Sequence, residues 1–163
     1  MLINTFDCLL FLIIYCSNFI DMNGVFEFIK ESKLLIIKWR GEWSKEHDVK
    51  LAIRFKEFSD KYDIENVIQD ITDLEFEISK SDVDAMIEVR NKIIEKHFSS
   101  VYITGKPKDV VFAHTYVSRM NNDKTKYCST IERAIQLLFL DNNYSDIYQT
   151  YKKLIRDEKA KVF

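Results

Sequence analysis

The sequence has few of the residues that interrupt or link secondary structure, with three glycines and one proline in 163 residues. We therefore expect short loops and long elements. Its three cysteines, Cys8, Cys16 and Cys128, are widely spaced and form no CxxC pair. This pattern matches neither a disulfide framework nor a zinc knuckle, and it favours reduced thiols in a cytoplasmic protein.

The sequence also lacks a marked excess of either charge. It has 24 basic and 26 acidic residues, with a net charge of −2. Nucleic-acid binding usually needs a clustered basic surface, so we expect no nucleic-acid partner. Hydrophobic residues make up 47% of the chain, which is enough for a packed core, and the length fits one domain.

No apolar run in the sequence approaches the roughly 20 residues that span a bilayer. The most apolar run covers residues 8–15 (CLLFLIIY), and its flanks lack the basic and small residues of a signal peptide. We interpret residues 1–21 as an extension outside the core fold, upstream of a start at Met22. Membrane contact is expected only through residues 8–15.

Hydrophobic periodicity predicts alternating strands and helices. Period-two alternation and β-branched runs predict strands at 25–29, 34–39, 66–71, 100–104 and 126–128, with 74–78 as an edge strand or extended loop. Amphipathic spacing and capping signals predict helices at 45–61, from Ser79 or Ser81 to about 97, at 107–120, at 131–140 with a Ser129–Glu132 capping box, and at 144–160.

This order predicts an α/β fold. We expect a mostly parallel central sheet of about five strands with a leading antiparallel hairpin, and helices packed on the sheet. The domain is expected to span residues 22–140. Residues 141–163 are expected to form an extra C-terminal helix that packs on the domain or on a partner.

Four segments resemble the SpoIIAA-like branch of the STAS superfamily. They are IIKWRGEWS at 36–44, ENVIQDITDLEFEIS at 65–79, VYITGKPKDVVFAHTYVSRM at 101–120 and YCSTIERAIQLL at 127–138. The resemblance covers residues 24–140. It implies the fold of anti-sigma-factor antagonists, which is related to SEC14-type lipid-binding domains.

The resemblance also implies a regulatory serine at the N-terminus of the helix after the third strand. The matching positions are Ser79 and Ser81, which are candidate phosphorylation sites. The alternative is that they are only helix caps. The glycine of the family's turn is absent here, and Asp82 and Asp84 would repel a phosphate.

Three polar residues, Asp70, Thr104 and Lys106, lie at or just after predicted strand ends, where α/β folds place ligands. The GKPK turn at 105–108 could hold an anion at a helix N-terminus. A response-regulator receiver is disfavoured, because the first parallel strand ends in Trp39-Arg40-Gly41 and not in an acidic pair.

The sequence shows no metal or catalytic motif. His47, His97 and His114 fall on three predicted helices without HxxxH spacing. Cys128 and His114 would form a nucleophile–base pair only if the fold brought them together. We therefore expect no metal, no cofactor and no enzymatic activity.

Aromatic residues supply the candidate interface, which comprises Trp43, Tyr148 and Tyr151, with core packing as the alternative for Trp43. We expect a non-enzymatic binding or regulatory domain with a protein partner, and a second copy bound through the hairpin or the last helix is one candidate for that partner. The alternative is a small apolar-ligand or lipid-binding domain. A deep apolar pocket would favour the alternative, and a flat exposed patch would favour a protein partner.

Overall fold

The computed structural model describes residues 23–75, 77, 79–94 and 97–157, without the side chains of residues 23, 45–47, 80 and 157. The strands are β1 (Asn23–Ile29), β2 (Leu34–Glu42), β3 (Asn66–Glu75), β4 (Ser99–Ile103) and β5 (Thr125–Cys128). The helices are α1 (Lys45–Lys61), α2 (Lys80–Ile93), α3 (Pro107–Met120), α4 (Ile131–Leu137) and α5 (Tyr144–Asp157). The predicted extension at residues 1–21 lies outside the described residues.

The strands form one five-stranded sheet in the order β1-β2-β3-β4-β5. The β1–β2 pair is antiparallel, and the remaining pairs are parallel. Parallel neighbours require a crossover, and α1, α2 and α3 supply the three crossovers. The predicted fold class, with its leading hairpin and mostly parallel sheet, is confirmed.

The sheet corrects one predicted boundary. Residues 74 and 75 belong to β3 and not to a separate edge element, because Gly41 and Glu42 of β2 pair with Leu74 and Glu75. This pairing resumes after a register shift between Lys38 and Arg40. Position 78 lies outside the described residues.

Each face of the sheet is covered by its own set of helices. Successive strand residues point to opposite faces, so Leu35 and Ile37 face one side while Leu34 and Ile36 face the other. Helices α1, α2 and α3 cover the first face. Helices α4 and α5 cover the second.

Helix α5 packs on the chain's own sheet. Its apolar stripe, Ile147, Tyr151 and Leu154, is buried against β-strand residues of the second face. This answers the question left open by the sequence, because the stripe is covered without a partner. The predicted continuation to 160 lies outside the described residues.

The helix ends follow local capping chemistry. Ser79 caps α2, with its side chain accepting from the Asp82 N–H in a capping box, as predicted. The predicted Ser129 cap of α4 is wrong. Thr130 is the residue directly before the first helical turn, and its hydroxyl accepts from the Arg133 N–H.

Two helices end earlier than predicted. Helix α2 ends at Ile93, and Ile94 already has extended backbone. Helix α4 ends at Leu137, and Phe139 adopts a left-handed conformation with φ of 57°. Within the described part of the chain, no helix is both long and apolar enough to cross a membrane.

Candidate functional site

A cavity of about 150 Å³ lies between the first sheet face and helices α1, α2 and α3, and it is partly open to solvent. Its walls are mostly apolar and aromatic, with Leu35 and Ile71 from the sheet and Phe55, Met86 and Phe112 from the helices. We call it the α1–α3 cavity. Cavities with apolar walls and a few polar groups are the usual form of small-molecule sites.

The sheet side of the cavity is fixed by close packing and by one amide. A Cβ at Gly24 would lie 2.6 Å from the Trp39 ring, so this position requires glycine. The Trp39 indole N–H donates to Gln69 Oε1 at 3.1 Å, and Gln69 Nε2 donates to Ser100 Oγ at 3.2 Å. These bonds hold the Trp39 ring in place at the cavity wall.

Two buried tyrosines, Tyr102 and Tyr116, also line the cavity. Their rings are in edge contact, with centroids 5.4 Å apart, and each side chain influences the pKa of the other. Burial raises the pKa of Tyr102, and it raises the pKa of Tyr116 well above its ordinary value. Both hydroxyls therefore stay protonated and can serve only as neutral polar groups.

Three half-buried charged residues, Asp48, Arg54 and Arg90, complete the lining. Burial raises the pKa of Asp48 to about 6, and the Trp43 indole partly offsets this increase. The Arg90 guanidinium lies 5.2 Å from the centroid of the Phe98 ring. Among the described residues, neither Arg54 nor Arg90 forms an ion pair.

Trp43, a candidate interface anchor, is half-buried and lines this cavity. Its backbone N–H donates to the Glu75 carbonyl at 2.8 Å, which ties the loop after β2 to the end of β3. Its indole N–H is buried without a hydrogen bond of normal geometry. Trp43 therefore fits the alternative of core packing better than the role of an exposed interface anchor.

Asp70, a candidate ligand residue, is instead a buried structural group with 1% exposure. Lys38 Nζ lies 3.0 Å from Asp70 Oδ1, and the Tyr151 hydroxyl donates to Oδ2 at 2.6 Å. The Thr72 N–H and hydroxyl also donate to Oδ1. Because these donors occupy the carboxylate and α5 covers it, the predicted open ligand site at Asp70 is wrong.

Tyr151, a candidate interface residue, is corrected by the same contact. Its side chain is 8% exposed and its hydroxyl is hydrogen-bonded to Asp70, so it is not available to contact a partner. The burial of the ring and the charge on Asp70 raise the pKa of the Tyr151 phenol far above its usual range. Tyr151 therefore anchors α5 to β3.

Thr104 and Lys106 do not join Asp70 in one site. Thr104 is buried and donates to the Cys128 carbonyl at 3.2 Å. The backbone N–H groups of Gly105 and Lys106 donate to Asp109 Oδ2 at 3.2 and 2.8 Å. The chain's own buried carboxylate therefore occupies the anion position that the GKPK turn was predicted to offer.

Ser79 and Ser81 lie exposed at the start of α2, directly after β3. The Ser79 hydroxyl donates to Asp82 Oδ2 at 2.6 Å and lies 2.7 Å from the Ser81 hydroxyl. The position matches the one implied by the resemblance. The contacts show a helix cap, and phosphorylation at either serine remains a prediction.

Cys128 and His114 have separate partners. Cys128 Sγ donates to the Thr130 carbonyl at 3.3 Å, and burial raises the pKa of the thiol. His114 Nδ1 lies 3.3 Å from the Tyr127 hydroxyl. The structure does not describe the His47 side chain, and it contains no cluster of three metal-ligating side chains among the residues it does describe.

Three aromatic side chains lie where α4 connects to α5; Phe139 and Tyr144 are exposed, and Tyr148 is half-buried. Phe139 is 85% exposed, and the Lys126 ammonium lies 5.7 Å from its ring centroid. Tyr144 stacks on Tyr148 with centroids 5.6 Å apart. We call Phe139, Tyr144 and Tyr148 the aromatic patch. Tyr148 was predicted as a candidate, whereas Phe139 was missed because helical periodicity placed it inside α4.

The structure is similar to solved SpoIIAA-like proteins. An uncharacterized DUF3478-family protein with a SpoIIAA-like fold from Shewanella loihica PV-4 is 18% identical, with a TM-score of 0.53 over 76% of this chain and 98% of that chain. An anti-sigma factor antagonist from Mycobacterium paratuberculosis is 13% identical, with a TM-score of 0.50 over 72% of this chain and 93% of that chain. No protein-family model and no curated protein matches the sequence.

These likenesses establish the fold. The chain has a SpoIIAA-like α/β fold, as the sequence resemblance implied. At such low identity, fold alone does not define function, because one fold carries many functions.

Proposed function

We propose that this protein is a non-catalytic regulatory domain of the bacterial cytoplasm that binds a protein partner through the aromatic patch. The observation that carries the proposal is Phe139, a large aromatic side chain with 85% exposure. Aromatic residues dominate the energetic centres of protein interfaces.

The backbone at Phe139 strengthens this argument. A left-handed conformation costs an L-residue with a side chain roughly 1–2 kcal/mol, and glycine avoids that cost. Phe139 adopts φ of 57°, and its side chain remains largely exposed, so burial does not offset the strain. Residues held in strained backbone conformations cluster at functional sites. A partner that buries the ring would account for phenylalanine at this position.

The charged residues beside the aromatic patch indicate the chemistry of the partner's surface. Lys126 lies over the Phe139 ring, and the Lys152 ammonium lies 5.2 Å from the centroid of the Tyr148 ring. Complementary charge steers association and suppresses wrong partners. Glu132 also acts on Tyr144, so a partner surface with an apolar pocket and charges of both signs would fit this combination.

Two further observations support a regulatory role. The similar protein from Mycobacterium paratuberculosis is an anti-sigma factor antagonist, and we extend regulation through protein binding to this chain by analogy. Ser79 and Ser81 lie exposed at the start of α2, where a phosphate would add charge beside Asp82. We propose that modification there adjusts partner binding.

The test is quantitative affinity capture from the native cells with the full chain as bait. We expect at least one protein that is captured by the wild type and lost with Phe139→Gly. Val111→Ser is the matched control, since Val111 is a 66% exposed apolar residue on α3, away from the patch. Identical captured sets for the wild type and Phe139→Gly would contradict the proposal.

A second candidate function is binding of a small apolar ligand, favoured by the α1–α3 cavity. Its volume of about 150 Å³ lies below the roughly 300–1,000 Å³ of drug-sized pockets. That size favours a ligand with a single ring over the acyl chain of a lipid.

A further inference from the structure

We infer that the α1–α3 cavity binds a small aromatic carboxylate, with the ring in the apolar interior and the carboxylate on Arg54 and Arg90. This inference rests on the second candidate function, which it refines by naming the ligand's chemistry. It is independent of the protein partner at the aromatic patch.

The size and walls of the cavity favour a single ring. An apolar protein cavity of about 150 Å³ stays dry and takes up benzene. The α1–α3 cavity has about the same volume, and Trp39, Phe55 and Phe112 are among its walls. Aromatic side chains meet one another by edge contacts or offset stacking, and a ligand ring can join them in the same way.

The charge on the lining favours an anion on that ring. The lining holds two arginines and one acid, Asp48, so its balance is positive. Neither guanidinium is ion-paired within the part of the chain that the structure describes. Arginine forms planar, bidentate hydrogen bonds with carboxylates, and it keeps its charge when half-buried.

The field of Arg90 reaches the inner end of the cavity. Burial raises the pKa of the Tyr102 and Tyr116 hydroxyls, the positive charge of Arg90 lowers it, and the negative charge of Asp48 adds a smaller increase. The buried Trp43 indole N–H adds a donor without a hydrogen bond of normal geometry. Donors and positive charge thus face a site that contains a single acid, and a ligand carboxylate would complement them.

The test uses 3-phenylpropionate and its uncharged analogue 3-phenylpropanamide as probes. Both tryptophans of the chain, Trp39 and Trp43, line the cavity, so intrinsic fluorescence reports occupancy directly. We expect the full chain to bind the acid at least about tenfold more tightly than the amide, since hydrogen bonds to charged groups are stronger than those between neutral groups.

Variants test the contribution of the arginine charge separately from that of the cavity volume. Arg90→Gln should weaken binding of the acid and leave binding of the amide unchanged, because Arg54 still remains. Arg133→Gln removes an exposed arginine on α4 and should change neither affinity. Ala52→Leu fills the cavity without changing its charge and should abolish binding of both probes. Circular dichroism would check that each variant is folded.

Two outcomes would contradict the inference, and they have different consequences for the second candidate function. Equal affinity for acid and amide, unchanged by Arg90→Gln, would remove the carboxylate site while leaving the cavity as a ligand site. Failure of both probes to change the fluorescence at millimolar concentration would remove the second candidate function as well.

Discussion

Asp70 and Asp48 show that hydrogen-bonding partners determine the free-energy cost of burying a carboxylate. Asp70 is fully buried but receives an ammonium, a phenol, a hydroxyl and a backbone N–H. Asp48 is half-buried with only the Trp43 indole acting on it, and burial raises its pKa to about 6. A buried charge without compensating partners opposes folding.

Replacement of Asp48 should therefore stabilise the protein at neutral pH. The pKa of Asp48 rises from 3.8 to about 6 on folding, so the folded state holds the proton more tightly. Its contribution to stability is greatest below about pH 4 and is lost as the pH rises through about 6. Asp48→Asn should raise the free energy of unfolding at pH 7 by about 1–3 kcal/mol.

Urea unfolding followed by tryptophan fluorescence across this pH range would measure the effect. The wild type should lose stability relative to Asp48→Asn as the pH rises from about 4 to 6. Asp123→Asn, at an exposed turn, is the matched control. A constant difference between wild type and Asp48→Asn at every pH would refute the assigned pKa.

Ser79 should contribute to stability as a helix cap whether or not it is ever modified. Its side chain accepts from the Asp82 N–H at 3.3 Å, and the Asp82 carboxylate accepts from the Ser79 N–H at 2.9 Å. Ser79→Ala should lower the free energy of unfolding by about 1 kcal/mol. Ser81→Ala, already inside the first turn, should cost much less in the same denaturation experiment. Equal losses would show that Ser79 is not the cap.

At the scale of elements, apolar periodicity was enough to predict the sheet and its helices. Runs such as 34–37 are buried on both faces, and the helices show one apolar stripe each. The extension of β3 to Glu75 was not predictable, because it depends on pairing with β2 beyond a register shift. The early end of α4 was missed because no glycine marks it.

The candidate site was less predictable than the fold. The α1–α3 cavity draws its walls from four strands and three helices, so no local motif encodes it. Sequence reasoning placed Thr104 and Lys106 correctly after a strand, but Asp70 lies in the middle of β3 and not at its end. It also could not show that Lys38, Tyr151 and Asp109 already occupy the surroundings of these residues. Lys38 belongs to β2 and Tyr151 to α5, which are distant in sequence, and Asp109 belongs to α3, the helix that follows the turn.

The end of α4 makes a direct prediction about Phe139. The Leu140 N–H donates to the Ile135 carbonyl at 3.1 Å, and the Phe139 N–H donates to the Gln136 carbonyl at 3.0 Å. This is the Schellman pattern, in which glycine is preferred at the position of Phe139. Phe139→Gly should raise the free energy of unfolding by about 0.5–1 kcal/mol, since glycine adopts this conformation without strain.

Thermal denaturation of Phe139→Gly beside Asn121→Gly would test this prediction. Asn121 ends α3 with φ of 48°, but asparagine tolerates the left-handed region, so its replacement should gain less. A Phe139→Gly protein less stable than the wild type would mean that the ring contributes to the fold itself.

At the scale of the whole molecule, the two apolar layers should unfold together. Strands β2, β3 and β4 supply residues to both layers, so neither layer can be lost while the sheet persists. Leu154 is 5% exposed in the α4–α5 layer, and Leu154→Ala should cost about 2–5 kcal/mol. The loss should appear in one transition.

The tryptophans make this cooperativity measurable, because both lie in the opposite layer. For Leu154→Ala, tryptophan fluorescence and far-ultraviolet circular dichroism should give the same shifted midpoint. A circular dichroism midpoint that falls while the fluorescence midpoint stays in place would mean that the layers unfold independently. Ile53→Ala, at a 46% exposed site, is the control and should move neither signal much.

Binding at the aromatic patch is the central functional claim, and site-specific photo-cross-linking tests it most directly. A benzophenone amino acid would replace Phe139 in the full chain, or Val111 as the control, and the cells of origin would be irradiated. We predict one dominant adduct between the position-139 probe and another protein chain, absent from the position-111 probe. No adduct at position 139, or the same adducts at both positions, would contradict a protein partner there.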